Sequence, residues 1–71
     1  MTEEKFDQCR ELTEMIFNKF GKVVKVEYGH VVNLGDWFYI DTGSYFAFRL
    51  GITFESAKSF VERTLSEDSL R

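Results

Sequence analysis

Apolar residues recur every third or fourth position from Glu3 to Phe20, alternate with polar ones through much of the middle, and return to helical spacing from Phe54. The first segment is expected to be a helix over about Glu3–Phe20. Thr2 is placed to cap it, and Glu3, Glu4 and Asp7 lie near its first turn, where the helix dipole favours negative charge. Gly21 suits the left-handed residue that ends such a helix. Phe6, Cys9, Thr13, Ile16 and Phe20 share one side, with Leu12 and Phe17 flanking, and this side is expected to face a core.

Val23–Tyr28 alternates as a strand, with Val24, Val26 and Tyr28 on one face and Val23, Lys25 and Glu27 on the other. Gly29-His30 has the composition of a two-residue turn. Val31–Leu34 is either a short strand of its own or part of one longer strand, according to whether Gly35-Asp36 turns the chain or bulges it.

A hairpin over Trp37–Leu50 is the best-specified piece. Asp41-Thr42-Gly43 suits a three-residue loop with Gly43 left-handed. This loop predicts Tyr39 opposite Tyr45, Phe38 opposite Phe46 and Trp37 opposite Ala47. One face would carry Phe38, Ile40, Phe46, Phe48 and Leu50, and the other Trp37, Tyr39, Tyr45, Ala47 and Arg49. A last helix is expected over about Phe54–Glu67, capped by Thr53, with Phe54, Ala57, Phe60, Val61 and Leu65 as its apolar stripe.

The order is α-β-(β)-β-β-α. It predicts one α+β domain over residues 1–71, in which a small antiparallel sheet of three or four strands packs both helices on one face. The other face, with Trp37, Tyr39 and Tyr45, is left to water or to a partner.

Size sharpens this point. The chain has 71 residues, a length at which a single core supplies roughly 3–5 kcal/mol. Cys9 is the only cysteine, so no internal disulfide is possible, and no Cys/His cluster offers a structural metal. Dense aromatic packing and association with another chain are the remaining sources of stability. The formal net charge of −3 gives no sequence-wide reason to expect nucleic-acid binding. The acidic start is unlike a signal peptide, and no apolar run reaches membrane-spanning length, so a cytoplasmic protein is expected.

Three constellations bear on function. Trp37, Tyr39, Tyr45 and Arg49 combine the residue types enriched at interface hot spots. As an ordinary solvated face they would only stabilise the sheet by cross-strand pairing. Glu4, Asp7, Glu11 and Glu14 form an acidic stripe on the outer side of the first helix, rising about 5 Å per turn, a spacing not far from that of phosphates along a strand. With no lysine four residues after any of them, they lack the usual helix pairing. Their ordinary reading is a solvated helix face, and their functional one a surface complementary to a basic partner. Lys19, Lys22, Lys25 and His30 are placed to gather near one end of the sheet, without a phosphate-binding motif. No catalytic residue, cofactor or metal is expected: His30 is a turn residue, and Cys9 lies on the core side of its helix.

The length and element order resemble those of the double-stranded-RNA-binding domain. That family carries a lysine-rich motif at the start of its final helix. Here Thr53-Phe54-Glu55-Ser56-Ala57-Lys58 stands there, with one lysine, so the resemblance implies topology and not RNA binding. In profile the chain resembles the anti-defence and host-takeover inhibitors of bacteriophages, anti-CRISPR proteins among them. The expected function is therefore a small non-enzymatic protein-binding module that modulates or inhibits a larger macromolecular machine. The alternatives are a homodimer joined through its aromatic faces and a single-stranded nucleic-acid binder stacking bases on the same face.

Overall fold

The structure, a computed structural model, describes residues 2–41 and 48–66. Helix α1 spans Glu3–Phe20, β1 Val26–Val31, β2 Gly35–Ile40, β3 Phe48–Gly51 and α2 Phe54–Arg63. The expected α+β architecture is present: a three-stranded antiparallel sheet in the order β1-β2-β3, with helices before and after it.

Local chemistry sets the helix limits. Thr2 accepts a hydrogen bond from the Lys5 amide, and Gly21 ends α1 at φ +70°, its N–H donating to the Phe17 carbonyl. Thr53 caps α2 by accepting from the Ser56 amide at 3.1 Å. Helix α2 stops at Arg63, short of the expected reach to Glu67, which lies outside the described residues.

The middle of the chain departs from its sequence reading. Gly29-His30 is not a turn: β1 runs straight through it to Val31. The turn comes later, at residues 32–34, where Asn33 takes φ +66° and the Leu34 amide donates to the Val31 carbonyl. Val31–Leu34 is thus no separate strand, and the sheet has three strands among the described residues. Gly35, at φ +88°, begins β2 opposite Val31. The partners of β2 on the other side also differ from the expected register. Ile40 pairs with Phe48 and Tyr39 with Arg49, and an irregularity at Phe38/Tyr39 brings Phe38 opposite Gly51. The pairing of Ile40 with Phe48 lies four residues further along than a three-residue loop at Asp41-Thr42-Gly43 allows. Tyr45, Phe46 and Ala47, on which that register was built, lie outside the described residues.

Face assignment survives the register change, because a shift by an even number of residues preserves it. Phe38, Ile40 and Leu50 are buried with Val26 on the helix side of the sheet. Against them pack Cys9, Leu12 and Ile16 from α1, and Ala57, Val61 and the following Leu65. Each such large apolar side chain contributes about 1.5–3 kcal/mol when buried. Phe38 is the hub: its ring lies 4.7 Å from that of Tyr28 and 6.2 Å from that of Phe54, with the Lys5 ammonium 5.3 Å away. Phe6 and Phe17, read as core-facing and flanking, are instead about half exposed on the outer flank of α1.

The two helices run in the same direction. Lys5 and Phe54, both near amino ends, meet at Phe38, while Lys19 at the far end of α1 donates to the Val61 and Glu62 carbonyls at 2.8 and 2.6 Å. Those carbonyls belong to the last turn of α2, where a cation offsets the negative end of the dipole.

Candidate binding face of the sheet

On the side of the sheet away from the helices, Trp37 and Tyr39 project from the central strand. Strand pairing sets Gly29 beside Trp37, and Glu27 and Arg49 on either side of Tyr39. Each polar tip is held. The Trp37 indole N–H donates to the Leu34 carbonyl at 2.9 Å, tying the ring to the β1–β2 turn. The Arg49 guanidinium lies 5.1 Å from the Trp37 ring centre, a cation–π contact made along the sheet diagonal. The Tyr39 hydroxyl donates to Glu27 Oε2 at 3.2 Å, and Glu27 Oε1 pairs with Lys25 Nζ at 3.2 Å. Burial, and next the Glu27 carboxylate, push the Tyr39 phenol above its ordinary range. Trp37 and Tyr39 are half-buried and Arg49 is exposed, so the three present one fixed aromatic and cationic surface. Tyr45, the fourth expected member, lies outside the described residues.

Alternation put Lys25 and Glu27 off the core face but not in contact with Tyr39, because that contact depends on the β1–β2 register. The turn that holds Trp37 comes after β1 has run through Gly29-His30, which local composition does not reveal.

The acidic stripe is exposed as expected, and it is less bare than its spacing implied. Arg10 reaches Asp7 at 3.7 Å, and Gln8 Nε2 approaches Glu4 at 3.5 Å. Glu11 and Glu14 extend the stripe along the same outer side of α1. The basic residues do not gather: Lys19 is tied to α2, Lys25 to Glu27, and His30 sits at the other end of β1, 3.7 Å from Asp36.

Cys9 is buried in the core, and burial first, then Glu27, raise its thiol above the ordinary range, so it is a poor nucleophile at neutral pH. Among the described residues no group of three or more His, Cys, Asp or Glu is arranged to hold a metal ion, and no helix is long and apolar enough to cross a membrane.

Two adjoining recesses run between α1 and the outer edge of β1. One, of about 400 Å³, lies between Phe6, Cys9, Arg10 and Thr13 on the helix and residues 24–27. The other, of about 330 Å³, continues past Thr13 to Phe17 and Val23. Spacing alone does not reveal these recesses, since Phe6 and Phe17 fit a core stripe equally well.

Comparison with protein-family models, with curated proteins and with solved structures found no match to this chain. The architecture defines its class: a small α+β domain with both helices on one face of an antiparallel meander.

Proposed function

We propose that this chain is a small non-enzymatic protein-binding module, which acts by docking the helix-free sheet face onto a larger macromolecular assembly and modulating it. The observation that carries this reading is the restraint on Trp37. Its ring is fixed by the Leu34 carbonyl on one side of the strand and by Arg49 across it, while part of its surface stays accessible. Aromatic side chains already held in place lose little conformational freedom on binding, which favours affinity. Trp, Tyr and Arg are also the residues that carry most energy at protein interfaces. Glu4, Asp7, Glu11 and Glu14 lie on the opposite layer of the molecule. In this reading they steer approach to a basic surface without forming the contact.

The test uses a photo-crosslinking residue placed at Val31, which alternation puts on the same sheet face as Trp37, in living cells, with the same residue at Glu62 on α2 as the control. A discrete adduct is expected at Val31 only, and it should vanish when Trp37→Ala and Tyr39→Ser are added to a chain whose circular dichroism is unchanged. Identical adducts at both positions, or an adduct indifferent to the two substitutions, would sink the reading.

A further inference from the structure

We propose that a second copy of this chain docks along the free edge of β1, joining two sheets into one of six strands across a twofold axis at Val26. The edge is available: β1 pairs with β2 on one side only among the described residues. Its outward backbone groups follow from the ladder. The Asp41 amide donates to the Lys25 carbonyl at 3.0 Å, so Lys25 faces β2. By antiparallel alternation the N–H and C=O of Val26 and Tyr28 face away from it. An antiparallel copy centred on Val26 pairs Val26 with its own copy and Tyr28 with the second copy's Val24, so the shared ladder extends β1 by the two residues that precede it.

Charge selects this register from its neighbours. With the axis at Val26, Lys25 stands opposite the second copy's Glu27, and the match occurs twice. Each Lys25–Glu27 pair, already 3.2 Å apart within one chain, becomes half of a four-residue network of alternating sign. Moving the axis to Glu27 sets two carboxylates against each other, and moving it to Tyr28 sets Glu27 against Gly29.

The helix layer agrees independently. Phe6, Cys9, Arg10 and Thr13 line one recess together with Val26, and Phe17 lines the adjoining recess with Thr13 and Val23, so both rings border this edge of the sheet. The axis at Val26 brings the second copy's α1 alongside in the opposite direction, so Phe6 meets the second copy's Phe17. These rings are 57% and 51% exposed, on a flank where a monomer gains nothing by exposing them. Such a contact is isologous and closes at two copies, leaving no edge for further growth there. It also leaves both Trp37 faces open on the same side of the joined sheet, so it does not depend on what those faces bind.

Sedimentation velocity on the full chain tests this, with Lys25→Glu, Glu27→Lys, the double exchange and Phe17→Glu, each first checked for an unchanged circular dichroism spectrum. The wild type is expected at twice the 8.4 kDa chain mass. Lys25→Glu should weaken association about tenfold, since it creates two like-charge pairs per dimer. The double exchange should restore it, and Phe17→Glu should weaken it again. A wild type that stays monomeric up to sub-millimolar concentration overturns the proposal, including the case in which a strand of another protein fills this edge. Failure of the double exchange to restore a dimer lost in Lys25→Glu overturns the register. A dimer insensitive to Lys25→Glu and Phe17→Glu but dissolved by Tyr39→Ser belongs to the aromatic face and overturns the edge assignment.

Discussion

Gly51 shows how closely α2 approaches β3. A Cβ built there would lie 2.7 Å from the Ala57 amide nitrogen and 2.9 Å from the Ser56 Cβ, so a single methyl must push helix and strand apart. Gly51→Ala is expected to cost about 1–3 kcal/mol, read as a lower urea midpoint. Asn33 illustrates the opposite case, a left-handed backbone at the tip of the β1–β2 turn that asparagine tolerates and a β-branched residue would not. Two titrating side chains bear on stability at alkaline pH. The Cys9 thiol and the Tyr39 phenol are both raised above their ordinary values of 9.0 and 10.0, chiefly by burial and next by Glu27. The fold therefore favours their protonated forms. That contribution is complete below the ordinary values and is lost as pH rises through the higher folded ones. Thermal midpoints should stay level with respect to these two groups from neutral pH to about 9 and then fall. A midpoint that rises between about pH 9 and 11 would contradict this. Cys9 should likewise resist a thiol reagent until the protein unfolds.

Among elements, the helices were the most legible and the loops the least. The caps at Thr2, Gly21 and Thr53 are local: each side chain or backbone angle completes a hydrogen bond within four residues, so sequence spacing suffices to find them. Register is not local. Asp41-Thr42-Gly43 fits a tight loop by its own chemistry, yet Phe48 pairs with Ile40, because the core side chains and α2 decide where β3 lies. Gly29 departs from its expected turn for a related reason. Glycine in a strand usually signals a break, but here the Tyr39 ring covers it, with the hydroxyl 3.8 Å from where a Cβ would stand. Of the candidate face, Trp37 and Tyr39 share a side by alternation within β2, whereas the side of Arg49 rests on the loop register and is kept because the observed shift is even. Their partners Leu34 and Glu27 depended on the turn and the register. Between the helices, Lys19 makes a contact whose loss is easily measured. Lys19→Met keeps the aliphatic stem and removes two hydrogen bonds to the end of α2, so a loss of about 1 kcal/mol is expected in denaturant unfolding.

The whole molecule has a thin margin. Its core is one layer of side chains between two helices and three strands, and Phe38 stands at its centre with no exposure at all. Phe38→Ala is expected to cost about 3–5 kcal/mol, an amount comparable to the total stability expected at this length. The variant should be largely unfolded at room temperature by circular dichroism, and a cooperative melt close to that of the wild type would show that other contacts carry the fold. The clasp between Lys19 and the carbonyls of Val61 and Glu62 has a further consequence. It joins residues 42 and 43 positions apart, so it cannot exist until nearly all the described chain has left the ribosome. Until then Leu12 and Ile16 lack the Val61 side of their core and remain open to water. The emerged chain is therefore expected to stay open to proteases until α2 arrives, and protection to come with that last helix.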